Sequence, residues 1–296
     1  AHWHLMQGGD ARLVVDPDTG LNRYGCSPSP RDHAFTFASS TATSISTPAY
    51  AAAEQYRERL LHDLVRANSL EPLTGHVRNL ESRIGDVFGL TELNPDIHLS
   101  PSGTDAQLQA VAAITTADPG QWVSLVCGAD ETGSGTEYSV TGCHFDNMTC
   151  LDVPASKGER LAEMTAIQYH GVDFRNNRGR LKTPDQLDQD IERAVHEWVE
   201  AGHSVILHTM DQSKLGCWTP SFPLLQRMRA RYGDKLQVVV DACQVRLDAP
   251  DLQAYLEQGD ILLLTGSKFF TGPPFSGAVV YPRSFTDRLL GQGISL

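Results

Sequence analysis

A series of short, unbroken aliphatic runs limits what this chain can fold into more than any other feature. Val238-Val239-Val240 ends on Asp241, Ile261-Leu262-Leu263-Leu264 ends on Thr265, and similar runs fill 122–127 and 204–209. Runs without polar alternation are what a sheet covered on both faces requires. Strands are expected at 97–100, 122–127, 149–153, 204–209, 236–241, 261–265 and 277–281. Helical patterns fall between them at 104–116, 184–201, 220–231 and 250–258. Two more precede the first strand: 48–68, opened by Pro48, and a stretch with Val77, Leu80, Ile84, Val87 and Phe88 at helical spacing before Gly89. This alternation implies an α/β layered domain with a mainly parallel, seven-stranded sheet. The loop joining the last two runs has no helical pattern, so the final strand is expected to run antiparallel to the rest.

Charge narrows the partners. Asp and Glu outnumber Lys and Arg by 36 to 24, a formal charge of −12, so the surface should repel nucleic acid and acidic membranes. The longest aliphatic run, 261–264, is far too short to cross a bilayer. A small-molecule ligand is the expected partner. The six cysteines show neither a CxxC nor zinc spacing with His, which reads as reduced thiols in a cytoplasmic protein. Residues 1–47 are turn-rich, with Asp16-Pro17-Asp18-Thr19-Gly20 and Ser27-Pro28-Ser29-Pro30, and no basic-then-apolar leader opens the chain. We divide the sequence into an N-terminal arm and first helix, 1–70, and a large domain, 71–296, and read the whole as a fragment or processed piece.

Three segments could carry chemistry, each with a plainer reading beside it. Ser100-Pro101-Ser102-Gly103-Thr104-Asp105 lies between a strand and a helix, where backbone N–H groups and the Ser102 and Thr104 hydroxyls would meet a phosphate at the helix N-terminus. The plainer reading is an ordinary N-cap. Asp241 ends an aliphatic strand, the position where open α/β sheets bind ligands, and could keep a pyridine nitrogen protonated. It could equally cap a turn. Lys268, in Thr265-Gly266-Ser267-Lys268-Phe269-Phe270-Thr271-Gly272, sits among hydroxyl and aromatic residues whose burial would favour the neutral, nucleophilic amine. Most lysines are solvated surface charges.

Taken in order, phosphate turn, strand-end Asp with Gln244 three residues on, then hydroxyl-x-Ser-Lys before a Gly/Pro loop, the sequence resembles fold-type I pyridoxal-phosphate (PLP) enzymes. The likeness is to the class V aminotransferase and cysteine desulfurase branch. It implies a three-layer large domain, with the small C-terminal domain that usually follows missing, and a homodimer. It also implies PLP as cofactor, with Lys268 carrying the Schiff base, Asp241 on the ring nitrogen and Gln244 on the ring hydroxyl. Ser102, Gly103, Thr104, Thr265 and Ser267 would hold the phosphate, and Thr132 would lie over the ring. The activity implied is aminotransferase-like, acting on an amino acid. The alternatives are PLP-dependent β/γ-elimination or replacement, of lyase or sulfur-transfer type, or a non-catalytic subunit that keeps the fold.

Departures from the branch are visible. Ser267 stands where a His usually precedes the Lys, Asp130-Glu131-Thr132-Gly133-Ser134-Gly135 offers no aromatic for the ring, and either Asp211 or Gln212 replaces the usual Asn. Residues 38–46 read either as part of a substrate closure or as a flexible arm. His2 and His4 could bind a metal but read better as a terminus, and no metal is expected. Asp130 and Glu131 read as a solvated loop before an acid/base pair, and Glu192, His196 and Glu200 as a polar helix face. Gly133-Ser134-Gly135 matches neither a P-loop nor a dinucleotide fingerprint.

Overall fold

The aliphatic runs form the middle of one sheet. The computed structural model describes residues 2–6, 11–34 and 42–295. Its strands are β1 (Asp96–Ser100), β2 (Trp122–Cys127), β3 (Ile167–Val172), β4 (Ser204–Met210), β5 (Leu236–Asp241), β6 (Ile261–Thr265) and β7 (Gly277–Tyr281). The helices are α1 (His2–Leu5), α2 (Thr47–Ala67), α3 (Glu71–Val87), α4 (Gly103–Ala117), α5 (Thr136–Val140), α6 (Pro184–Glu200), α7 (Phe222–Tyr232), α8 (Ala249–Glu257) and α9 (Arg283–Gly291). Strand order is β1-β7-β6-β5-β4-β2-β3. β2 through β6 pair in parallel, while β7 runs antiparallel to both β6 and β1. A short loop joins β6 to β7 without a crossover helix, which forces the reversal.

Alternation within each run divides the core into two layers. Leu125, Leu207, Val238, Val240, Leu262 and Leu264 pack with α6, α7 and α8, while Ile206, Val239, Ile261, Leu263 and Val279 pack with α4 and α9. Each fully buried aliphatic side chain contributes about 1.5–3 kcal/mol, so every strand is held from both sides. Helix starts follow local chemistry. Ser102 caps α4, Ser221 caps α7, and Thr183 with Gln186 forms a capping box on α6.

One expectation about the strands needs correction. Residues 149–153 form no strand: Thr149 N donates to Val153 O in a tight turn, and Leu151 and Val153 face solvent. The seventh strand is β3 instead, an edge strand whose Gln168, Tyr169 and His170 hide the aliphatic signal. After β7, α9 buries Phe285 and Leu289 in the core.

Candidate active site

The C-terminal ends of the parallel strands, together with the start of α4, converge on one pocket. β1 delivers Ser100 to a turn in which Ser102 caps α4, its Oγ accepting from Asp105 N at 3.3 Å. Gly103 is required there, since an added Cβ would lie 2.7 Å from Cys243 Sγ and 3.0 Å from Thr265 Cγ2. Gly277, the first residue of β7, is as tightly placed, with its would-be Cβ 2.6 Å from the Ser102 backbone. The turn is therefore pressed directly onto the ends of β5, β6 and β7.

Asp241 ends β5, and its Oδ1 accepts from Cys243 N at 3.1 Å, which orients the carboxylate. Cys243 beside it is buried, and burial first, then the Asp241 charge, pushes its thiol well above the usual range, so it is a wall and not a nucleophile. Thr265 Oγ1 donates to Cys243 O at 2.8 Å. Lys268 directly follows the buried Ser267. Its loop is clasped from the N-terminal side of the chain: Thr43 N donates to Ser267 O at 3.1 Å, Thr43 Oγ1 to Lys268 O at 3.0 Å, and Ser46 N to Thr271 O at 3.0 Å. Ala42 and Ile45, both buried, anchor this clasp.

Ser102, Gly103, Thr104, Asp241, Thr265, Ser267 and Lys268 all line this pocket. Thr132 and Gln244 do not belong to the lining. Thr132 turns its hydroxyl to Ala129 O at 2.9 Å, and Gly133, Ser134, Gly135 and Thr136 form that side of the wall. Gln244 is buried behind the strand ends. Neither Asp211 nor Gln212 reaches the pocket: Tyr255 Oη donates to Asp211 Oδ2 at 2.7 Å, and Gln212 Nε2 donates to Arg246 O at 3.3 Å.

Phe269 and Phe270 do not bury Lys268. They are 54% and 50% exposed and turn toward Arg246 and Phe88 respectively. The aromatic residues that line the pocket are Tyr24, Phe145 and Phe275, which the spacing of the sequence does not reveal. Asp130 is exposed, but Glu131 beside it is buried and not part of a solvated loop. Both pair with Arg175, at 3.1 and 2.7 Å, and Glu131 also accepts a hydrogen bond from Ser213, so they brace the β2 end.

The pocket also collects cations that no motif announces: Arg12, Arg23, Lys157 and Lys214 join Lys268, against the carboxylates of Asp146 and Asp241. Burial, and secondarily the charge of Lys268, holds the Lys214 ammonium below the usual lysine range, against the pull of Asp241 and Glu131. In a chain of net charge −12 such a concentration points to an anionic ligand. A wider cleft at the β3 edge gathers Arg175, Arg178, Lys182 and Arg193, but Asp173, Asp190 and Glu197 line it with them, so its charges are more nearly balanced. Residues 38–41 and the side chain of His2 lie outside the described residues. Among the described residues no cluster of His, Cys, Asp or Glu is arranged to hold a metal, and no helix is long and apolar enough to cross a membrane.

The fold is a three-layer α/β domain with strand order β1-β7-β6-β5-β4-β2-β3, whose pocket brings together a hydroxyl-rich helix start, a strand-end carboxylate and an amine. Solved structures share the fold. The glutamate decarboxylase domain of a Vibrio parahaemolyticus diaminobutyrate-pyruvate transaminase and L-2,4-diaminobutyrate decarboxylase matches with a TM-score of 0.51 at 13% identity, over 84% of this chain and 52% of that one. Catharanthus roseus tryptophan decarboxylase gives 0.51 at 12% identity, over 83% and 51%, and a Burkholderia pseudomallei sphingosine-1-phosphate lyase 0.50 at 12%, over 84% and 56%. At these identities the likeness is one of fold, and the chain spans about half the length of each of these structures. No family model matches the chain, and no curated protein matches it.

Proposed function

We propose that this chain is the cofactor-binding part of a PLP-dependent enzyme acting on an amino acid, with an aminotransferase-like reaction as the reading its sequence resemblance favours. The observation that carries the proposal is the meeting of Lys268, Asp241 and the Ser102-Gly103-Thr104 turn in one cation-rich pocket. The donor set fits the group: hydroxyls and a helix N-terminus for a phosphate, a carboxylate for a pyridine nitrogen, an amine for an aldehyde.

PLP supplies an aldehyde that captures amines and a ring that accepts electrons from Cα. The remaining work belongs to the chain. Lys268 Nζ would hold the group through its aldehyde, and its free amine would serve as the base toward a substrate Cα–H. Asp241, its direction fixed by the Cys243 N–H, would keep a pyridine nitrogen protonated. Thr43 fixes the backbone from which Lys268 projects. Phe145 and Phe275 exclude water from one side, which strengthens each of these charge interactions.

Elimination or replacement at Cβ or Cγ would begin with the same contacts, and the division into an arm, 1–70, and a large domain, 71–296, belongs to the same reading. So does a homodimer: Leu215, Trp218, Phe269 and Phe270 are exposed on the loops that carry Lys214 and Lys268, a surface a second copy would cover. The test of the cofactor is borohydride reduction of the purified chain loaded with PLP, followed by peptide mass mapping. The pyridoxyl group is expected on Lys268. Label on Lys214 or Lys235 instead would refute the assignment. Titration with a panel of amino acids then separates the reactions, and a reducible absorbance band that no amino acid alters would favour the non-catalytic alternative.

A further inference from the structure

We infer that Arg12, from the N-terminal arm, is the principal phosphate-binding side chain of this site, an assignment that rests on the PLP reading above. The argument begins with protons. Ser102 has one hydroxyl proton, and its Oγ lies 2.5 Å from Asp105 Oδ2. An ionised carboxylate can only accept, so that proton is committed to Asp105. Thr265 has likewise given its proton to Cys243 O. Two of the hydroxyls that the sequence offers to a phosphate therefore have none left to donate.

Arg12 fills that gap. Its guanidinium donates to Ser102 Oγ at 3.2 Å and to Thr104 Oγ1 at 3.3 Å, and stands 3.9 Å from Asp105 Oδ2. This places it against the first turn of α4, beside the position that the helix N-terminus favours for an anion. Its planar face is held by Phe145, at 5.1 Å, and by Phe275, at 4.8 Å. The side chain is 14% exposed, and Leu13, next in the chain, is buried at 1%, so the arm is anchored where it delivers the charge. Arg12 also offsets Asp105, whose carboxylate would otherwise repel a phosphate at this turn. A guanidinium has five N–H donors in a rigid fork that matches phosphate oxygens, and a low-dielectric aromatic setting strengthens such charge-assisted bonds.

The inference separates phosphorylated from unphosphorylated ligand, and so can be read without turnover. Binding of PLP and of pyridoxal, which keeps the aldehyde and ring but lacks the phosphate, is measured from the visible absorbance of each on the full chain. Wild type and Arg12→Gln are compared. The Kd of PLP is expected to rise roughly tenfold to a hundredfold in the variant, with that of pyridoxal changing by less than about twofold. Inorganic phosphate should compete with PLP on the wild type and much less on the variant. Unchanged PLP affinity would overturn the assignment, as would equal losses for both aldehydes, which would make Arg12 a support of the pocket wall. If Arg12→Gln does not fold by circular dichroism, Arg12→Lys, which keeps the charge but not the fork, must still show a loss confined to PLP. A wild type that captures neither aldehyde would instead refute the cofactor reading, and Arg12 with it.

Discussion

At the scale of single residues, Asp241 offers the sharpest separation of charge from shape. Asp241→Asn keeps the size and one acceptor oxygen but removes the charge that would hold a ring nitrogen protonated. Capture of the aldehyde by Lys268 is expected to survive, because it needs only the amine, while exchange of the substrate Cα proton with solvent deuterium slows markedly. Asp241→Glu keeps the charge one methylene out of place, and a displacement of ~1 Å costs roughly a hundredfold. Wild-type exchange in Asp241→Asn would return this residue to the role of a strand-end cap, which its Cys243 contact already satisfies. The places of Asp241 and Lys268 were legible in the sequence because the aliphatic runs of β5 and β6 mark where those strands end, and that of the Ser102 turn because Ser-Gly opens a strongly helical segment. Arg12, Phe145 and Phe275 were not. Arg12 stands 90 residues from Ser102, in a turn-rich arm with no periodic pattern, and only folding brings it there.

Among the elements, β4 carries a titration that should be measurable. His208 lies wholly within the sheet, its Nε2 3.2 Å from Ser124 Oγ, and burial depresses its pKa from 6.5 to about 3. Between those values the unfolded chain binds a proton that the folded chain refuses. Stability from this group is thus complete above about pH 6.5 and is lost as the pH falls, at up to ~1.4 kcal/mol per pH unit. Asp260 works in the opposite sense. Burial raises its pKa to about 6 despite Arg229, so protonation between about pH 6 and 3.8 favours the folded state. The advantage of wild type over His208→Asn, measured by urea unfolding, should therefore shrink between pH 7 and pH 5, and a constant difference would show that His208 is not held neutral. Elements were as legible as their burial was complete. β2, β4, β5, β6 and β7 match the expected strands because apolar residues dominate their runs, whereas β3, open at the edge, pairs with β2 through residues that look like loop.

For the whole molecule, the proposed homodimer predicts that sedimentation finds a pair and that Phe269→Ser with Phe270→Ser shifts it toward monomer with weaker PLP retention. A wild-type monomer that keeps its full cofactor would contradict this. The three-layer arrangement was legible because strands and helices alternate so regularly. The way the N-terminal arm folds over the strand ends was not, since its contacts are hydrogen bonds to backbone and hydroxyl groups that leave no periodic trace. That arm also sets an order in time. Thr43 and the carbonyls of Ser267 and Lys268 that it binds are separated by 224 and 225 residues. At roughly 5–20 residues per second of synthesis, about ten to forty-five seconds pass between the emergence of one side of this clasp and the other. A nascent chain can therefore lay down β1, β2 and β4 while still unable to capture an aldehyde, and this pocket is completed only after the segment that carries Lys268 has left the ribosome.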